Sequence, residues 1–251
     1  MLSAILHGKS GTAEDGTSWR RTFRGSEDLL TAAVWTRVSY LPSALIRELL
    51  MSTFPALEEL LNAAGEFDRI EFWPRLPAVE ASGGRHVEPD ALLHFEKLHV
   101  IVEAKRDDSE LQKLVQWKSE VAAYRESHPP GELVALIAIG GLGDVREAAL
   151  LAPRRQADVA AASVPVGATS WANLMGEVAK LAGSPGVPGH CRRILDDVLR
   201  AMELHGFWQR TYLGEFRDRR YPISPESWTV FRPLPPQSVP GSSPSRPPTR
   251  T

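Results

Sequence analysis

The chain has a single cysteine, no long hydrophobic run and no excess of either charge, and each shortage limits what the protein can be. Cys191 alone cannot form a disulfide within the chain or a metal site made of several thiolates, which favours a reducing cytoplasm. The run from Leu133 to Ile139 is far shorter than the roughly 20 apolar residues of a membrane span. Residues 2–6 are too short an apolar run for a secretory signal. We therefore expect a cytoplasmic protein with no membrane partner.

The charge balance excludes nucleic-acid binding through an overall positive charge but allows binding through local basic clusters. The 251 residues carry 29 Lys and Arg against 31 Asp and Glu, a formal net charge of −2. A global basic field is absent, so any affinity for nucleic acid must come from local arginine clusters. Two such clusters are Arg20, Arg21 and Arg24, and Arg217, Arg219 and Arg220. A solvated surface face is the simpler interpretation of each cluster.

Hydrophobic periodicity predicts a mixture of helices and strands in one large domain. The predicted order is a helix region divided by prolines, three strands, a helix, a buried strand and further helices. This order indicates an α/β (or α+β) fold with a central mixed sheet flanked by helices, and additional C-terminal helices. We expect a flexible segment over residues 1–25 and a domain over 26–231, with a core over about 26–140 and a helical part over about 141–231. The Pro- and Ser-rich tail over 232–251 is expected to be disordered.

The stretch 88–105 contains two apolar runs that meet at Glu96-Lys97, with an acid at the far end of each run. If Glu96-Lys97 is a two-residue turn, Asp90 lies opposite Glu103, and directly opposed residues have Cβ atoms about 4.5–5.5 Å apart. Lys105, two residues beyond Glu103, then points to the same side of the sheet. Glu-Lys is not the Asn-Gly type that two-residue turns favour, and a longer turn would change the register. The pattern predicts two carboxylates and an amine on one small patch.

These side chains have the chemistry of a divalent-metal site for phosphodiester cleavage. Asp90, Glu103 and the backbone carbonyl of Ala104 can supply hard oxygen ligands for Mg²⁺ or Mn²⁺. Lys105 could position a water molecule or stabilise developing negative charge. Burial beside a metal would lower its pKa and allow a general-base role. The competing interpretation is a solvated strand end with an ordinary Glu–Lys ion pair, in which Glu88 could also serve as the partner of Lys105.

The sequence Pro89-Asp90, a hydrophobic hairpin and Glu103-Ala104-Lys105 resembles the signature of PD-(D/E)XK nucleases. The order of helix, three strands, helix and strand is similar to the restriction-endonuclease-like core of that family. The resemblance covers about residues 26–140 and implies divalent metal, nucleic-acid cleavage, and Asp90, Glu103 and Lys105 as the catalytic group. The motif itself is short, so the hairpin spacing and the flanking helices carry most of its weight.

The resemblance also draws attention to residues on two helices. Many family members place a further metal-binding acid near the start of the first helix, where this chain has Glu27. A favourable position in the helix dipole explains Glu27 equally well. Gln112 and Gln116 are four apart and are expected to share one face of the helix after the motif. Some relatives use a glutamine there with a tyrosine four residues later; here Glu120 follows Gln116, so Gln116 is a candidate neighbour of the site.

His94 and His99 would lie opposite each other in the same hairpin. A metal site made of two imidazoles is conceivable, but two polar side chains near the turn are the simpler interpretation.

We expect a metal-dependent nuclease that hydrolyses phosphodiester bonds, with DNA as the expected substrate and a role such as restriction, repair or anti-phage defence. The chain has no Walker motif, so a separate helicase or ATPase could be its partner, and cutting both strands would favour a homodimer. The alternative is a nuclease-fold subunit that binds nucleic acid or acts as an adaptor without its own catalysis.

Overall fold

The computed structural model describes residues 16, 18–77, 86–106, 111–129, 131–142 and 164–208, which all lie within the unit Met1–Gln209. Helices and strands alternate along this part of the chain. The helices are α1 (Trp19–Gly25), α2 (Glu27–Val38), α3 (Ser43–Thr53), a 3-10 turn (Pro55–Leu57), α4 (Glu58–Ala63), α5 (Leu114–Ser127), α6 (Trp171–Gly183) and α7 (Gly189–Leu204). The strands are β1 (Phe67–Phe72), β2 (Leu76–Pro77), β3 (His86–Val87), β4 (Ala91–Phe95), β5 (Leu98–Ala104), β6 (Leu133–Ile139) and β7 (Val166–Thr169).

Five strands form one mixed sheet in the order β1-β4-β5-β6-β7. β1, β4 and β5 are antiparallel neighbours, whereas β6 and β7 join β5 in parallel. β2 and β3 form a separate two-stranded antiparallel sheet. The mixed sheet with helices around it confirms the predicted α/β class.

The β4–β5 hairpin has the register that a two-residue turn at Glu96-Lys97 predicts. Leu92 pairs with Ile101, and His94 pairs with His99. The last pair is Ala91 with Val102, so Asp90 and Glu103 occupy the next step along the two strands. The charged side chains of the turn do not disturb the register, since the backbone N–H groups of Glu96 and Lys97 donate to the carbonyls of Glu66 and Ala64.

The two faces of the sheet carry different layers. Leu93, Val100 and Val102 belong to the larger core, which includes residues of α2, α3, α6 and α7. Leu92 and Ile101 belong to a second core with residues of α5. Because side chains alternate along a strand, Asp90 follows the direction of Leu92, and Glu103 follows that of Ile101. Both acids are therefore on the α5 side of the sheet.

α1 lies within the segment 1–25, for which the sequence predicts flexibility. The structure corrects the end of that prediction, since Trp19–Gly25 form a helix. Phe23 is buried against Leu204 of α7, with Leu29 packed beside them. This long-range contact stabilises a short helix that local sequence does not specify. The rest of the predicted flexible segment and the predicted tail lie outside the described residues, apart from Gly16 and Ser18.

In the part of the chain that the structure describes, no helix is both long and apolar enough to cross a membrane.

Candidate active site

The predicted trio meets at the end of the β4–β5 hairpin away from the turn. The ammonium Nζ of Lys105 lies 2.7 Å from Oε1 of Glu103. Asp90 accepts a hydrogen bond from the backbone N–H of Ala104, with 2.7 Å between Oδ2 and the nitrogen. Glu103 is 1% exposed and Asp90 is 9% exposed, so both carboxylates are inside the fold rather than on a solvated strand end. We call Asp90, Glu103, Lys105 and Glu27 the acidic end of the hairpin.

Glu27 reaches this group from the first turn of α2. Its Oε1 lies 3.2 Å from Nζ of Lys105, and its Oε2 accepts a 2.6 Å hydrogen bond from the backbone N–H of Arg106. The side chain of Ser26 caps α2 by accepting from the N–H of Leu29, which fixes the position at which the helix begins. From the sequence, Glu27 could be either a further acid of the site or an acid placed favourably in the helix dipole. In the structure it contacts Lys105.

Gln116 and Gln112 both donate hydrogen bonds to Glu103, Gln116 to its side chain and Gln112 to its backbone carbonyl. Gln116, in the first turn of α5, donates from Nε2 to Oε1 of Glu103 over 2.7 Å. Gln112 precedes α5, which corrects the expectation that both glutamines share a helix face. Its buried amide donates to the carbonyls of Glu103 and Gly140 and accepts from the indole of Trp117, so it holds backbone and helix together.

Glu120 is the residue that sequence reasoning missed. It lies one turn beyond Gln116 on α5 and is fully buried. Neither of its carboxylate oxygens has a hydrogen bond of normal geometry among the described residues. Burial first, and then the nearby charge of Glu103, raise its pKa well above the ordinary value. The signal available in the sequence was an acid at the position where some relatives of the motif have tyrosine.

The two carboxyl groups on the strands of the acidic end, those of Asp90 and Glu103, both have raised pKa values. Burial and the charge of Glu103 raise the pKa of Asp90 to about 7. Burial also raises the pKa of Glu103, although its hydrogen bond with Lys105 acts in the opposite direction. Several acids brought together out of water are costly unless a cation balances them. This end of the hairpin therefore has a deficit of positive charge.

Lys105 is held as a cation by the carboxylates around it, and the lowered pKa expected of it beside a bound metal stays a prediction. Burial alone would lower the pKa of its ammonium, but the hydrogen bonds and charges of Glu103 and Glu27 outweigh burial and raise it. A general-base role needs the neutral amine, so the surroundings favour positioning and charge stabilisation. Glu88, the alternative partner considered for Lys105, instead lies 3.3 Å from Nε of Arg75.

The backbone of Lys105 is fixed by β6 and α6. Its N–H donates to the carbonyl of Ile139 over 2.7 Å, and its own carbonyl accepts from the indole of Trp171 over 2.9 Å. Gly140 has a φ of +70°, and a Cβ placed there would lie 2.0 Å from the Lys105 carbonyl oxygen. Only glycine fits this close approach without a backbone shift.

The oxygen atoms that could hold a metal ion are the carboxylates of Asp90 and Glu103 and the carbonyl of Ala104, which here accepts from Nζ of Lys105 over 3.1 Å. Among the described residues, no group of three or more His, Cys, Asp or Glu side chains is arranged to hold a metal. Mg²⁺ is usually held by one or two carboxylates together with water and substrate phosphate, rather than by a full protein cage. The hard oxygen donors and the raised pKa of Asp90 fit such a cation.

The turn end of the same hairpin has a different composition, which we call the histidine end: His94, His99, Tyr124 and His128. The rings of His94 and His99 meet edge to face at 4.6 Å, and His128 stacks on Tyr124 at 3.9 Å. The hydroxyl of Tyr124 donates to Glu132 over 2.9 Å and also meets Nδ1 of His99. Burial lowers the pKa of both His94 and His99, so their rings stay neutral at neutral pH.

An open groove of about 430 Å³ borders the histidine end and is lined in part by His94, His99 and His128. It lies at the opposite end of the hairpin from Asp90 and Glu103. Groove volume therefore does not mark the acidic end, whose distinguishing feature is buried charge.

Comparison with known proteins identifies a relative without identifying an activity. The chain is 36% identical over 146 residues to a Pasteurella multocida (strain Pm70) protein described as "Uncharacterized protein PM0110". The match covers 57% of this chain and 54% of the relative, so the chain spans about half the length of the curated relative it matches. No protein-family model and no solved structure matches the chain.

Proposed function

We propose that the chain is a metal-dependent phosphodiesterase of the restriction-endonuclease-like type, with DNA as its substrate. The observation that carries this proposal is the meeting of Asp90, Glu103 and Lys105 at one end of the sheet, with both acids buried and the lysine bonded to Glu103. Buried acids with raised pKa values cluster at functional sites because they are costly elsewhere. The motif resemblance, which is carried by the same three residues, supports the same proposal.

The residues divide the chemistry among them. Asp90 and Glu103, with the carbonyl of Ala104, would hold the cation. A bound Mg²⁺ or Mn²⁺ would acidify water and offset charge on the scissile phosphate. Lys105 keeps its ammonium charged and can stabilise the negative charge that develops on the phosphate oxygens.

Glu27 and Gln116 bind the side chains of Lys105 and Glu103 and fix their positions. Glu27 accepts from the ammonium of Lys105 and from the backbone N–H of Arg106, so it holds the ammonium in place. Gln116 donates to the same Glu103 oxygen that binds Lys105, which limits the orientations of the carboxylate. Both are positioning residues in this account, because neither needs to touch the scissile phosphate.

The partners and the setting belong to the proposal as well. A cytoplasmic nuclease used in restriction, repair or anti-phage defence would fit this site, either with a helicase or ATPase partner or as a homodimer. A nuclease-fold subunit without catalysis is the competing function. The intact acid, acid and lysine set argues against it, because a binding module has no need of buried carboxylates that repel phosphate.

A cleavage assay separates these functions. The full chain is incubated with single-stranded DNA, duplex DNA, plasmid and RNA in Mg²⁺ or Mn²⁺, with and without excess EDTA. We expect cleavage of DNA that EDTA abolishes and that Glu103→Gln and Lys105→Ala reduce by about 100-fold or more. Lys180→Ala is the matched control, since Lys180 also lies 2.7 Å from a glutamate but on the surface of α6.

Equal cleavage by the wild type, Glu103→Gln and Lys105→Ala would reject the site. DNA binding without cleavage under every metal condition would support the non-catalytic subunit instead.

A further inference from the structure

Trp73 lies at the same end of the sheet as the carboxylates, one residue past the end of β1. The β1–β4 register pairs Phe72 with Ala91, so Trp73 occupies the step opposite Asp90. Its backbone N–H donates to the carbonyl of Asp90 over 3.2 Å. Trp73 therefore lies just past the end of β1, directly across from Asp90, one of the proposed metal ligands.

The backbone of Trp73 has a conformation that bulky residues avoid. Its φ is +48°, and it is the one non-glycine residue with positive φ in the described part of the chain. A Cβ is crowded in this left-handed region, and the following Pro74 further favours extended conformations at position 73. Strain of this kind persists only where the surroundings impose it, and it is concentrated at functional sites. Glycine would fit the turn better than tryptophan.

The indole is exposed although tryptophan is usually among the more buried residues. Trp73 is 37% exposed, and its ring tilts against Phe72 with 5.5 Å between the centroids. A large flat side chain held open to solvent beside a phosphodiesterase site has the shape and chemistry of a stacking platform for a nucleobase. The exposed guanidinium of Arg75 lies two residues further on; its surface ion pair with Glu88 is weak enough to exchange for a phosphate.

We propose that Trp73 stacks on an unpaired base next to the scissile phosphate, so that the preferred substrate is a strand whose bases are single-stranded or frayed. This inference rests on the proposed function and specifies its substrate. A base inside a duplex stacks on its neighbours and presents only its edge, so it cannot offer a free face to Trp73. The bases inside an intact duplex would gain nothing from this contact, since only the two terminal base pairs present a free face.

Binding measurements on the full chain test the inference. A fluorescein-labelled oligothymidine and a labelled blunt duplex are titrated with protein in Ca²⁺, and affinity is read as anisotropy. We expect Trp73→Ala to weaken oligothymidine binding by about 10-fold and duplex binding by less than about twofold, while Trp73→Phe keeps most of the affinity. Tyr40→Ala is the matched control, since Tyr40 is 64% exposed and lies beyond the far end of α2 from Glu27.

Trp73→Gly separates folding from recognition. Because glycine accepts a φ of +48°, Trp73→Gly should melt at a higher temperature than Trp73→Ala, yet bind oligothymidine as weakly. The inference would be overturned if wild type, Trp73→Ala and Trp73→Gly bound oligothymidine equally well. It would also be overturned if the variants lost affinity for oligothymidine and duplex to the same extent. Cleavage that depends on Glu103 with no effect of Trp73 would remove the inference and keep the proposed function. If Trp73→Ala weakens oligothymidine binding selectively but the wild type cleaves no DNA, base stacking is kept and the proposed catalysis is rejected.

Discussion

The two ends of the β4–β5 hairpin are built on the same strands and covered by the same helix, yet they manage polar groups in opposite ways. At the histidine end, His94 and His99 are neutral, and the tyrosine hydroxyl has both an imidazole and a carboxylate partner. At the acidic end, the carboxylates of Asp90 and Glu103 are buried with a single ammonium close to them.

The charge state of the buried polar groups distinguishes groups that stabilise the fold from groups that are suited to chemistry. Neutral rings that stack and share hydrogen bonds stabilise a fold without further help. Buried acids with raised pKa values lower the stability of the fold at neutral pH until a cation arrives. We therefore expect a structural role for the histidine end, and the metal-dependent chemistry proposed above belongs to the acidic end.

Removing Lys105 should expose this difference most strongly. Lys105→Ala leaves Glu27 and Glu103 without their shared cation, which is expected to cost about 3 kcal/mol in the free energy of unfolding at pH 8. Lys180→Ala breaks a pair with the same 2.7 Å separation, but with a lysine that is 74% exposed, and should cost about 0.5 kcal/mol. Urea unfolding in EDTA measures both values. Similar losses for the two variants would mean that the acidic end behaves as an ordinary surface ion pair.

Asp90→Asn should stabilise the metal-free protein in a pH-dependent way. The pKa of Asp90 is raised from 3.8 to about 7, so its favourable contribution is complete below pH 4 and is lost as the pH rises through 7. Asparagine has no charge to bury and can still accept from the N–H of Ala104. The variant should therefore match the wild type near pH 4 and exceed it above pH 7 by on the order of 2 kcal/mol.

Thermal and urea unfolding across pH 4–9 in EDTA measure this effect, with Asp68→Asn as the exposed aspartate control. Saturating Mg²⁺ should narrow the gap, since the cation stabilises the wild-type carboxylate. A constant offset at every pH would show that Asp90 titrates normally and that the acidic end carries no excess charge.

At the histidine end, Tyr124→Phe should cost stability without costing activity. The variant loses the hydrogen bonds of the hydroxyl to Glu132 and His99, a loss of about 1 kcal/mol in the free energy of unfolding. The phenyl ring can still stack on His128 and pack beneath the sheet. Denaturant unfolding should register the loss, while metal-dependent cleavage under folded conditions stays within about twofold of wild type. A large drop in cleavage would contradict this and would mean that Tyr124, at the other end of α5 from Gln116, also contributes to cleavage.

The geometry of the hairpin could be predicted because it depends on local rules. Alternation along two strands and a two-residue turn fix which side chains are opposite, so Asp90 and Glu103 follow once Leu92 pairs with Ile101. The same rule places His94 opposite His99. Lys105 was predictable for the same reason, since two residues along a strand return to the same side.

Contacts that depend on tertiary packing could not be predicted in this way. Glu27 meets Lys105 across 78 residues, because α2 begins at the end of the sheet where β5 finishes. Gln112 fits the helical pattern, yet it lies before α5 because its amide binds the carbonyls of Glu103 and Gly140. The burial of Glu120 likewise depends on how closely α5 packs against the strands. Periodicity describes a helix face but not the neighbours that it meets.

The most direct test of the account replaces two glutamates by glutamine, Glu103 of the acidic end and Glu71 of β1, whose side chain contacts the histidine end. Glu103→Gln and Glu71→Gln remove one charge each; Glu71 lies 3.4 Å from Nε2 of His94. Initial rates of DNA cleavage in Mg²⁺ are compared at equal concentrations of folded protein. The account predicts a loss of about 100-fold or more for Glu103→Gln and less than about twofold for Glu71→Gln. Comparable rates for the two variants would contradict it.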